Sequence, residues 1–220
     1  VIGIWDGDGQ RPHEGVTSLG PNGEMLDLLV SCSGKVPILS IVLGTVSGTS
    51  ALAAGLSDFV ILGRQRGRMF MRSPYVIPEI ISGEVDEDTL GGATHHASRS
   101  GVACMVSESE SGAFDIAAEI LSFLPDHTMA EPPRLSTGDK WKRKCKGMGK
   151  LVPLDSDRPY DMREVLAEVV DDKRFLELFP SYAQNVVVGF ARLDGVPVGM
   201  VANQPSVLAG CLDIDASVKA

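Results

Sequence analysis

Ile41–Phe59 reads IVLGTVSGTSALAAGLSDF, and this stretch decides the fold. The β-branched run Ile38–Leu43 predicts a buried strand. The small-residue turn Gly44-Thr45-Val46-Ser47-Gly48-Thr49 follows, and the Ala-rich run Ser50–Leu56 predicts a helix. Small residues at a strand-to-helix turn let a ligand approach the backbone closely. The first amides of a helix lack intrahelical partners and carry the positive end of the dipole, so such a turn can hold a developing oxyanion without a charged side chain. The same residues also suit an ordinary tight connection. Outward from this stretch, Val1–Trp5 predicts a buried strand running into Asp6-Gly7-Asp8-Gly9-Gln10-Arg11. Its glycines suit either backbone near a ligand or a plain surface turn. Asn22–Ser33 predicts an amphipathic helix with Met25, Leu28, Leu29 and Cys32 on one face, and Phe59–Leu62 a further strand. This alternation of strand and helix indicates a layered α/β domain.

A chain of 220 residues, 44% hydrophobic, has room for one large domain or one and a half. A net charge of −9 argues against a general nucleic-acid or membrane-surface binder. Cys32, Cys104, Cys145 and Cys211 are widely spaced and read as reduced, mostly buried thiols of an intracellular protein, cytoplasmic or, in a eukaryote, of the mitochondrial matrix. No apolar run reaches membrane-spanning length. The opening strand and the closing Asp215–Ala220 read as a piece of a longer polypeptide.

Further along, Ser73-Pro74 predicts a helix near Tyr75–Ile81. His95-His96 invites a metal reading, but adjacent residues do not share a helix face and no carboxylate sits at ligand spacing. Ala113–Leu124 predicts a helix with Ala117, Ile120, Leu121 and Leu124 inward. Pro125, Pro132, Pro133, Pro153 and Pro159, with the basic run Lys140–Lys146, then break the periodicity and predict a solvated linker between two units. Asp161–Val170 predicts a helix with Met162, Val165, Leu166 and Val169 inward. Asn185–Leu193 and Val196–Asn203 predict strands joined at Asp194-Gly195, a tight-hairpin pair.

Pro159-Tyr160-Asp161-Met162-Arg163-Glu164-Val165, Tyr182-Ala183-Gln184-Asn185, Val188-Gly189-Phe190-Ala191-Arg192, Val201-Ala202-Asn203-Gln204-Pro205 and Leu212-Asp213-Ile214-Asp215-Ala216-Ser217 occur in this order. With Ser57-Asp58-Phe59, Leu90-Gly91-Gly92-Ala93, His96 and Ser100-Gly101-Val102-Ala103, the set resembles the carboxyltransferase (β) subunit of biotin-dependent acyl-CoA carboxylases. The resemblance runs over almost the whole chain. It implies an α/β fold of the crotonase-like (ClpP/crotonase) ββα superhelix type in two tandem domains. Residues 1–135 would be the later part of the first domain, 136–153 a linker, and 154–220 the beginning of the second.

The activity so implied moves a carboxyl group from carboxybiotin to the α-carbon of an acyl-CoA through backbone-stabilised enolates. Biotin would arrive on a separate chain or domain, since no Ala-Met-Lys-Met attachment site is present. Implied partners are the biotin carboxylase and biotin carboxyl carrier components, with self-association as a dimer and higher, ring-like hexamer. Gly48 and Thr49 match the family's oxyanion turn and are the implied catalytic pair. Gly7, Asp8, Gly9, Gln10, Arg11, Ser47 and Ser73 are the implied substrate-binding residues. The chain departs from the family pattern at Asp8, Thr49, Ser73 and Cys104. Asp8 is the most consequential, because a carboxylate beside an enolate needs a partner such as Arg11 or a proton. The same pattern also suits a biotin-dependent decarboxylase component or a non-catalytic paralogue acting as a structural subunit.

Overall fold

The computed structural model describes residues 1–7, 9, 11–74, 86–140, 142–155 and 157–220, with Pro12 by its backbone alone. Asp8, Gln10, Trp141 and the helix expected near Tyr75–Ile81 lie outside the described residues. The chain divides into two compact units, Val1–Glu119 with Asp126–Ala130, and Ile120–Pro125 with Glu131–Ala220.

The first unit is built on parallel strands in the order β1 (Ile2–Gly7), β2 (Leu39–Ser47), β3 (Phe59–Gly63) and β5 (Met105–Ser107). A short strand, β4 (Arg68–Phe70), runs beside the far end of β2, pairing Thr45 with Arg68 and Ser47 with Phe70. Ile38, Leu39, Ile41, Ile61 and Leu62 are all but sealed from solvent, and burying each such side chain contributes about 1.5–3 kcal/mol. Ser40 is buried with them but satisfied: Trp5 Nε1 donates to its Oγ at 2.8 Å, and the Oγ lies 2.7 Å from that of Ser57. Asp58 secures the start of β2, its carboxylate accepting the Ile38 amide at 2.9 Å. Cys104 is a core thiol with Sγ 3.2 Å from Val60 O, and burial pushes its pKa up to about 12. Alkylation of Cys104, read by mass spectrometry, should therefore lag far behind that of the exposed Cys211 until the chain unfolds.

Two expectations for this unit are corrected. Among the described residues the first strand has only β2 as a neighbour, and Ile2 is 50% and Ile4 58% exposed where a covered strand was expected. The first helix, α1 (Leu19–Cys32), has no buried residue, and Leu28 is 63% exposed. Its Met25, Leu28, Leu29 and Cys32 line an open apolar groove of about 350 Å³ with Val1 and Pro21. Amphipathic spacing identified the helix correctly, but spacing does not say how closely a face is covered.

The helix Glu110–Leu121 follows β5 and buries Ala113, Ala117 and Ile120. The second unit is an antiparallel sheet in the order β6 (Phe175–Leu178), β7 (Val186–Leu193) and β8 (Val196–Asn203). Asp194 (φ 52°) and Gly195 (φ 78°) make the expected tight turn. Asp171 accepts both turn amides, at 3.1 and 2.7 Å, and Arg134 clamps the Asp194 carboxylate at 2.6 Å.

The helix Met162–Val169 buries Leu166, yet Val169 is 39% exposed and Val170, just past its end, is fully buried. The expected inward position was one residue early, because the chain leaves the helix there with Val170 extended (φ −81°, ψ 160°). Nor is the basic run simply solvated. Arg143 donates to the carbonyls of Glu168 (2.6 Å), Val169 (3.2 Å) and Val170 (2.7 Å) and to the Asp139 carboxylate (2.7 Å). These carbonyls lie at the end of that helix and lack intrahelical donors, so one guanidinium caps the helix and ties the basic run into the second unit. Among the described residues no helix is long and apolar enough to cross a membrane.

Candidate active site

The strand β2 ends at Ser47, and Gly48 turns the chain into α2 (Thr49–Gly55), which buries Ala51, Ala53 and Ala54. At Gly48 the backbone takes φ 60° and ψ −126°, a conformation that side chains with a Cβ rarely adopt. The strand-to-helix turn inferred from sequence is therefore present, and glycine is required in it.

Its hydrogen bonding differs from expectation at one atom. The Gly48 amide does not point at an open site; it donates to Phe70 O at 3.0 Å. Gly48 O in turn accepts the Leu52 amide at 3.0 Å, the first bond of α2. Gly48 thus contributes conformation, and the first turn of α2 follows it directly. Gly48, Thr49 and Ser50 are all half-buried, so the turn is reachable from solvent.

Of the other expected site residues, Gly7 and Gly9 converge on this turn. Gly7 pairs with Val46 after an irregularity in the β1–β2 register. Gly9 has φ 93°, and a Cβ there would come within 2.9 Å of Ser47 O, so the loop packs backbone to backbone on the turn. Arg11 is not brought in. Its guanidinium is largely exposed and pairs with Glu14 at 3.3 Å. Asp8 and Gln10, and with them the Asp8–Arg11 pair considered from sequence, lie outside the described residues. Ser73 is half-buried, three residues beyond Phe70. The carbonyls of β4 are the feature sequence reasoning missed. A three-residue strand has too little pattern to reveal itself.

The histidine pair contributes one ordered side chain. His96 Nε2 lies 2.9 Å from Met69 O and Nδ1 lies 2.8 Å from Ser100 Oγ. A carbonyl can only accept, so Nε2 carries the proton and Nδ1 accepts from Ser100. Burial holds the His96 pKa below its ordinary 6.5, which keeps this neutral tautomer. In the unfolded chain His96 titrates near 6.5, so folding excludes a proton that the unfolded state binds. Stability should be intact above pH 6.5 and fall as the pH drops below it. Urea unfolding at pH 8, 6 and 5 should show a smaller loss in His96→Gln than in the wild type.

Known proteins resemble this chain along its whole length. The family profile described as "Carboxyl transferase domain" matches residues 1–220. The chain is 42% identical over 227 residues to the biotin-dependent acetyl-/propionyl-coenzyme A carboxylase beta5 subunit of Mycobacterium tuberculosis, covering all of this chain and 41% of that protein. It is 38% identical over 219 residues to the methylmalonyl-CoA decarboxylase subunit alpha of Veillonella parvula, covering 100% of this chain and 43% of that one. Among solved structures, transcarboxylase 12S, crystallised as a hexamer with methylmalonyl-coenzyme A and methylmalonic acid bound, superposes with a TM-score of 0.95 at 38% identity, over 100% of this chain and 42% of its own. The fold is thus the crotonase-like α/β fold of that enzyme. This chain spans about two fifths of the length of these relatives.

Proposed function

Because this chain belongs to the carboxyl transferase domain family, we propose that it is part of the carboxyltransferase component of a biotin-dependent acyl-CoA carboxylase. The observation that carries the reading is the superposition, at a TM-score of 0.95, on an enzyme crystallised with methylmalonyl-coenzyme A. In this reading residues 1–135 are the later part of a first crotonase-like domain, 136–153 its connection and 154–220 the opening of a second. The partners are the biotin carboxylase and carboxyl carrier components, and the assembly is a dimer built up to a hexamer. A place in the cytoplasm, or in the mitochondrial matrix of a eukaryote, goes with it.

The acyl-CoA thioester sits at the turn Ser47–Gly48–Thr49, with Gly7 and Gly9 beside it and Ser73 at its margin. The turn is neutral and half-buried, which suits an apolar acyl group, and Thr49 adds a side chain where the related turn has glycine. As the α-proton leaves, negative charge grows on the thioester oxygen. Backbone amides fixed by the fold stabilise that charge without reorganising and without titrating. Biotin, bound from a separate chain or domain, supplies the carboxyl group. The contribution of this chain is to orient the α-carbon toward it and to hold the thioester oxygen.

The test is isotope exchange with the full-length chain. Label in the free carboxyl group of [¹⁴C]methylmalonyl-CoA or [¹⁴C]malonyl-CoA should pass to a biotinylated acceptor. Folded, assembled protein that binds acyl-CoA and moves no label would overturn the reading.

A further inference from the structure

We infer that His96 is a positioning residue for the thioester turn, acting through the carbonyls of β4. The inference rests on the reading of Ser47–Thr49 as that turn. The strand Arg68–Phe70 is only three residues long, so its own ladder with Thr45–Ser47 fixes it weakly. Two consecutive carbonyls are held on opposite sides, one from outside that ladder and one by its last rung. Met69 O accepts His96 Nε2–H at 2.9 Å, and Phe70 O accepts the Gly48 amide at 3.0 Å. Successive carbonyls of a strand point to opposite sides, so a donor on each side sets its rotation and height against β2.

The surroundings leave the strand little other freedom. A Cβ at Gly91 would come within 2.4 Å of Met69 O, so the Gly91 backbone lies directly against that carbonyl. Gly92 forms a bridge to Arg68, and Met69 and Phe70 are buried. The imidazole is itself fixed, because Ser100 Oγ occupies Nδ1 and the Val102 amide lies 3.3 Å from the same hydroxyl. With both ring nitrogens engaged, His96 has no lone pair or proton left for substrate. Its route to the chemistry runs from Met69 O through Phe70 O to the Gly48 peptide, whose orientation aims the amides that follow.

The experiment compares His96→Leu, which removes the donor, with His96→Gln, whose terminal amide nitrogen reaches about as far as Nε2, in the full-length assembled enzyme. His96→Leu should lower kcat by about 10-fold to 100-fold while KM for the acyl-CoA changes less than about 3-fold, because misaimed donors act on the transition state more than on ground-state binding. His96→Gln should restore most of kcat. Hydrogen exchange at the Gly48 amide, read by NMR, should speed up by about 10-fold or more in His96→Leu and stay slow in His96→Gln, reporting local opening without reference to turnover. Unchanged Gly48 protection in His96→Leu, or a kcat loss that follows the folded fraction and is no smaller in His96→Gln, would overturn the inference. If His96→Leu does not fold, Ser100→Ala frees Nδ1 and should give a smaller acceleration at Gly48; no change there also overturns it. A wild-type enzyme that moves no carboxyl group would remove the functional reading, while the Gly48 exchange result still decides the positioning link.

Discussion

Gly48→Ala is expected to cut carboxyl transfer by about 10²-fold or more, the scale set by losing one oxyanion donor. Crowding is not the cause, since nothing lies within 4 Å of a Cβ placed there. The cause is the backbone, at φ 60° and ψ −126°, where a residue with a Cβ is strained by about 1–3 kcal/mol. That strain is relieved by rotating the peptide, which gives up the bond to Phe70 O and turns the amides of Thr49 and Ser50 away from their present direction. The measurement is kcat of the full-length variant against wild type, with circular dichroism to establish folding. A folded variant with wild-type kcat would show that the turn does not face the reacting group.

Gly189→Ala should be the most damaging small substitution in the second unit, lowering unfolding stability by about 3 kcal/mol. Gly189 lies in the central strand of the sheet, opposite Glu177 on one side and Met200 on the other. A Cβ would come within 2.1 Å of Leu176 O and 2.8 Å of Phe175 Cζ. The ring could turn aside, but the carbonyl is backbone inside a ladder and can withdraw only by parting the two strands. Urea unfolding measures the effect, and a loss below about 0.5 kcal/mol, the range of an ordinary surface change, would mean the strands are less tightly paired than described.

The parts of the fold legible in the sequence were those specified by local pattern. The run from Ile38 to Leu62 carries its own strand, turn, helix and strand, and Asp194-Gly195 between two apolar runs fixes a hairpin whatever surrounds it. What escaped was set by distant partners. The strand β4 exists because Thr45–Ser47 offers it a ladder and His96 and Gly48 offer it donors, none of which is near it in sequence. The engaged state of the Gly48 amide follows from that hidden strand, so the expectation that this amide is an open donor could not be checked from the turn's own residues. Arg143 read as one cation in a basic run, and only the folded unit reveals three helix-end carbonyls waiting for it.

The most direct test of the account is a crystal structure of the full-length chain with methylmalonyl-CoA or a non-hydrolysable thioester analogue. The thioester oxygen is expected about 2.7–3.1 Å from a backbone amide nitrogen of the first turn of α2, with the Gly48 amide still bonded to Phe70 O. A thioester bound elsewhere, with no backbone amide of that turn within hydrogen-bonding distance of its oxygen, would contradict it.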